Sequence, residues 1–138
     1  MNEMDRQVKS KKRVSDHGEV FTSAREVNAM LDLVKHETER IDSRFLEPAC
    51  GTGNFLAEIL RRKLTVVEKQ YGKSSADYER FAVVAVTSIY GVELLEDNAK
   101  ECRERLFDIF NDAYTRVCKQ DASEDCREAV KFILERNI

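Results

Sequence analysis

Proline occurs once in this chain, at Pro48, glycine five times and tryptophan not at all. A sequence so poor in chain breakers, with 42% hydrophobic and 36% charged residues, is neither low-complexity nor disordered; it is that of a helix-rich globular protein. No apolar run approaches the ~20 residues of a membrane span, and the opening "MNEMDRQVKSKKR" lacks the apolar centre of a signal peptide, so no membrane partner and a cytoplasmic location are expected. There is no C-x-x-C pair. Cys50, Cys102, Cys118 and Cys126 are 52, 16 and 8 positions apart, with only His17 and His36 to assist them. That spacing points to reduced, buried thiols rather than a zinc site or a disulfide framework. Excess positive charge is missing too: the net charge is -3, so any contact with nucleic acid has to be local.

The one basic cluster is Lys9, Lys11, Lys12 and Arg13. Ahead of the first periodic segment, it reads as part of a flexible basic tail over residues 1–16. Residues 17–138 are then a single domain, long enough to bury about two-thirds of the surface the unfolded chain exposes.

Residues 24–39 place Val27, Met30, Leu31 and Val34 on one helical face, with Ser23 as N-cap and Glu26 three residues on. "SRFLEP" reads as a short buried strand, because proline pushes the preceding Glu47 toward extended geometry. Helix resumes after Gly53 and breaks at "YGKSS", where Gly72 stops one helix and Ser74 or Ser75 caps the next. "FAVVAV" suits either a buried strand or a helix; the division adopted is helix over 76–87 and strand over 89–94. Helices follow over 97–118 and from Ser123 to about residue 136, the second with Glu124, Asp125 and Glu128 at its positive end.

The stretch "RFLEPACGTGNFLAEILRRKL" is therefore a strand, a glycine turn and a helix start. Such a turn sets free N–H groups and the positive end of a helix beside the carboxyl end of the strand. Gly51 and Gly53 permit close backbone approach, and Glu47 offers an acceptor to a ligand cation. No Gly-Lys-Ser/Thr follows, so this is not a P-loop, and a plain strand-to-helix turn would look the same in isolation. Glu93 ends the second expected strand, where a doubly wound sheet carries the acid that takes ribose hydroxyls; taken alone, it is equally an ordinary surface carboxylate.

Together, "LEPACGTGNFL", the preceding "GEVFTSAREVNAM" and the following "IYGVELLEDNA" resemble, in order, three motifs of the N6-adenine DNA methyltransferases of restriction-modification systems. The resemblance covers residues 17 to about 100. It implies an α/β protein with a partial Rossmann-like S-adenosylmethionine-dependent methyltransferase fold, helix-rich, with two or three strands. It also implies S-adenosylmethionine as cofactor. Phe21 and Thr22 would line its pocket, and Glu47 with the backbone of Ala49, Gly51 and Gly53 would hold the methionine moiety. Asn54 and Phe55 would lie close by, Glu93 would take the ribose hydroxyls and Leu94 would pack on the adenine. Ser23 stands where the family commonly has proline, which bears on the local turn only.

Members of that family hold the target adenine with an Asn/Asp-Pro-Pro-aromatic motif. A chain whose only proline is Pro48 has none, and no catalytic residue is assigned. The expectation is an inactive cofactor-binding N-terminal portion, either truncated or completed by a separate polypeptide. DNA would be a partner only after such completion, and a homodimer or a complementing methyltransferase subunit are the protein partners implied. Two other readings fit the residues: a methyltransferase-derived interaction module without cofactor, and a nucleotide- or dinucleotide-binding fragment. The second of these is disfavoured because Leu56 stands where a third glycine belongs.

Overall fold

The computed structural model describes residues 7–138; residues 1–6, the first part of the expected tail, lie outside the described residues. Within the rest of that stretch, Lys11–His17 form helix α1. Ser10 starts it, its Oγ accepting the Arg13 N–H at 3.2 Å, and Gly18 stops it in the left-handed region at φ 63°. The basic cluster is thus built into an ordered segment, because Lys9 and Arg13 find carboxylates far along the chain.

Helix α2, Ala24–Asp32, begins as expected, with Ser23 Oγ accepting the Glu26 N–H. It does not continue to residue 39. The chain turns at Leu33 and Val34, then forms one short helix, α3, Lys35–Thr38. The periodicity is genuine for Val27 and Leu31, which are buried, but Met30 and Val34 stay exposed, so the residues around the break gain little from burial.

Strand β1, Phe45–Glu47, leads through the glycine turn into α4, Asn54–Tyr71. Gly72 ends α4, and Ser74 caps α5, Ser75–Thr87, which contains the ambiguous "FAVVAV". Strand β2 is Ile89–Gly91, shorter than the expected 89–94, since it has only the three residues of β1 to pair with. Helix α6, Glu96–Cys118, and α7, Glu124–Asn137, complete the chain, the latter capped by Ser123. The result is a helix-rich α/β structure whose sheet has two parallel strands.

Leu56, Leu60 and Val67 of α4, Tyr78 and Ala82 of α5, and Leu106, Phe110 and Tyr114 of α6 are fully buried together. Each large side chain among them contributes roughly 1.5–3 kcal/mol by leaving water. All four cysteines are buried. Lys63 of α4 is fully buried as well and ties the starts of both strands together. Its ammonium donates to the Ile41 carbonyl at 3.1 Å, to the Ser43 carbonyl and to Ser88 Oγ at 2.7 Å. Three acceptors meet three N–H groups, yet burial still pushes its pKa down to about 8.

Phe45, Leu46 and Glu47 stand opposite Ile89, Tyr90 and Gly91. Ile89 and Gly91 are buried beneath the helices, whereas Leu46 and Tyr90, side by side on the other face, are exposed. Helix α7 packs against α5, α6 and β2, on the side of the sheet away from the free edge of β1. Among the described residues no helix is long and apolar enough to cross a membrane.

Candidate functional site

The parallel ladder continues past both strands into the turn. Val92 donates its N–H to the Glu47 carbonyl at 2.9 Å, and Cys50 donates to the Val92 carbonyl at 3.0 Å. Gly51 and Gly53 then take left-handed backbone at φ 56° and 89°. Both need glycine for a second reason. A Cβ on Gly51 would lie 3.0 Å from Cε1 of Phe21, and one on Gly53 only 2.7 Å from Cys102 Sγ. Gly53 is also the N-cap of α4 and offers no side chain, so the first-turn N–H groups receive no side-chain cap.

A cavity of about 350 Å³ opens at this point, at the carboxyl ends of the two strands. That is within the ~300–1,000 Å³ of small-molecule sites. It has three walls. The turn supplies Glu47, Ala49, Gly51, Asn54 and Phe55; the segment after β2 supplies Glu93 and Leu94; the segment before α2 supplies Phe21 and Thr22. Of the residues singled out in the sequence, Gly53 alone does not reach the cavity; it is buried against Cys102 beneath the turn. Hydrogen bonding with Cys50 and burial both push the Cys102 thiol up, so it keeps its proton there.

Glu47 and Glu93 have matching roles in their turns. Glu47 Oε1 accepts the Ala49 N–H at 3.2 Å, and Glu93 Oε1 accepts the Leu95 N–H at 3.1 Å. Each carboxylate is thereby oriented by its own backbone, and its second oxygen has no partner among the described residues. Phe21 is half-buried and Leu94 is 85% exposed, so neither is an ordinary core residue. Asn54 is engaged at both ends of its amide. Its amide donates to the Thr22 carbonyl at 2.8 Å, and its oxygen accepts from Arg105 of α6 at 2.7 Å, which makes it a tie between segments.

Sequence reasoning missed Glu19 and the residues of α6 that hold it. Arg13 donates to Glu19 through Nε at 2.7 Å and Nη2 at 2.8 Å, and through Nη1 to Asp97 at 2.6 Å. Buried Asn98 donates to Glu19 at 2.6 Å and accepts from Lys9 at 2.6 Å. The Arg13 guanidinium holds the Glu19 carboxyl below the usual range and brings Asp97 down to about 2. The signal was faint, since it consists of contacts across some 80 positions of sequence.

No protein-family model, curated protein or solved structure matches this chain. The chemistry of the cavity therefore rests on its own residues. Glu19 is neutralised by Arg13, which leaves Glu47 and Glu93 as acceptors beside an uncapped helix start. That set suits a ligand with cationic or hydroxyl donors on one part and an anionic group on another.

Proposed function

We propose that this chain binds S-adenosylmethionine as the cofactor-binding part of a DNA adenine-N6 methyltransferase with a partial Rossmann-like fold. The observation that carries the reading is the placement of Glu47 and Glu93. Glu47 ends β1, Glu93 lies two residues past the end of the adjacent parallel β2, and both line one cavity, on the side where open α/β sheets bind ligands. The resemblance of the three motifs to that family agrees with this placement.

The donor set fits the cofactor. Glu47 would accept from its ammonium, and the first N–H groups of α4 would take its carboxylate. Glu93 would accept from both ribose hydroxyls, Leu94 would cover the adenine, and Phe21 and Thr22 would close the N-terminal side. Because Gly51 has no Cβ, the Phe21 ring can close against the turn. When bound, the cofactor supplies an electrophilic methyl group. This chain contributes binding and orientation, and the groups that hold a target adenine have to come from another segment or polypeptide, since no Pro-Pro pair occurs here.

Titration calorimetry with S-adenosylhomocysteine tests the reading: saturable binding to the wild type is expected, and an absence of heat at high micromolar protein would end it. A second reading, an interaction module without cofactor, has one observation in its favour. Leu46 and Tyr90 leave one face of a parallel sheet bare, and such sheets are ordinarily covered on both faces.

A further inference from the structure

The N-terminal wall of the cavity, residues 19–22, belongs to neither strand nor to the glycine turn. Asn54 holds its far end through the Thr22 carbonyl at 2.8 Å, and its near end is held from outside. Arg13 grips Glu19 with two N–H groups and Asp97, at the start of α6, with two more, Nη1 at 2.6 Å and Nη2 at 3.1 Å. Asn98 is fully buried, and its amide donates to the same Glu19 carboxylate. Phe21, the next aromatic along, packs against the Gly51 turn.

We propose that Arg13 is a positioning residue for this cavity: by bridging Glu19 to Asp97 it latches the wall carrying Phe21 and Thr22 against α6, and so sets how tightly a ligand is retained. The part concerning retention rests on the cofactor-binding reading above; the latch itself does not. Only guanidinium among the basic side chains can serve two carboxylates with paired N–H groups at once. A lysine at position 13 has three N–H groups and cannot set a pair of them on each of the two carboxylates. If the wall is docked only part of the time, apparent affinity falls by the docked fraction. Loss of the latch therefore appears as faster ligand release.

The test uses the full chain with Arg13→Ala, Arg13→Lys, Asp97→Asn and the Arg13→Ala/Asp97→Asn double variant, each first shown by circular dichroism to keep its helix content. Amide hydrogen exchange is read at residues 19–22, and S-adenosylhomocysteine affinity by calorimetry at low and high salt. Faster exchange at 19–22 is expected in Arg13→Ala and in Asp97→Asn, with little further change in the double variant. Affinity should fall about fivefold or more, the lower end of ordinary couplings between sites. Arg13→Lys should recover only part of it, and the wild type should lose more affinity than Arg13→Ala as salt rises. Unchanged exchange in both single variants would overturn the latch. Faster exchange with unchanged affinity would overturn its role in retention. Faster exchange in a protein whose wild type binds no S-adenosylhomocysteine would sink the cofactor reading and leave the latch standing.

Discussion

The side-chain amide of Asn137 donates to the main-chain oxygen of Ile89 at 3.1 Å, so the last helix closes the outer edge of β2 where another strand would otherwise pair. Among the described residues no equivalent hydrogen bond closes the outer edge of β1. In the parallel register Leu46 directs its N–H and carbonyl away from β2, and its side chain is 66% exposed. Met30 and Val34 are exposed beside it.

An open, apolar edge of this kind invites pairing with another strand. Light scattering should show association of the wild type at high micromolar concentration, and Leu46→Lys should shift the population toward monomer with no loss of helix. A wild type that stays monomeric, with fast amide exchange at Leu46, would show that the edge does not pair with a second copy.

Glu93→Ala should weaken S-adenosylhomocysteine binding by roughly 1.5–3 kcal/mol, the worth of a hydrogen bond to a charged group. Calorimetry gives the value directly. Equal affinity for variant and wild type would remove the ribose role from Glu93. Neither protein should transfer radiolabelled methyl groups to adenine-containing DNA above a protein-free control, because nothing in this chain positions the amino group for in-line attack.

Gly53→Ala and Gly18→Ala make a controlled pair. Both sites have positive φ, at 89° and 63°, but a Cβ at Gly18 meets nothing within 4 Å while one at Gly53 strikes Cys102 Sγ. Gly18→Ala should cost only the left-handed backbone term, roughly 1–2 kcal/mol. Gly53→Ala should cost clearly more, seen as a lower urea midpoint, and a cost no greater than that of Gly18→Ala would contradict the sulfur contact.

Lys63 sets a pH signature. Unfolded, it holds its proton to about its ordinary value of 10.5; folded, burial brings that down to about 8. Between these values the unfolded chain binds more protons, so the contribution of Lys63 to stability rises with pH, by about 3 kcal/mol across the window. Urea unfolding of wild type and Lys63→Met at pH 8 and pH 10 isolates it: the difference between them should move in the wild type's favour at the higher pH. A difference that is flat in pH would show that the ammonium keeps its ordinary value inside the fold.

The elements legible in the sequence were those whose signals are local. Ser23 caps its helix as read, Ser74 is the one of the two candidate serines that caps α5, Ser123 caps the helix it was expected to begin, and the helix over 97–118 appears as Glu96–Cys118. The glycine turn and the two acids lay on a strand–turn–helix pattern, and the structure brings them to one cavity. What could not be read depends on distant partners. Ser10 and Gly18 carry the signals of a short helix, but its anchoring needs Asp97 and Asn98. The break after Asp32 goes with the exposure of Met30 and Val34, which periodicity does not record. The short β2 reflects how few residues β1 offers to pair.

The contact between Arg13 and Asp97 spans 84 positions. On a ribosome adding roughly 5–20 residues per second, Arg13 waits several seconds for Asp97 to be made. The wall synthesised first is thus the last to be seated, and a nascent chain carries its glycine turn well before it owns a finished cavity.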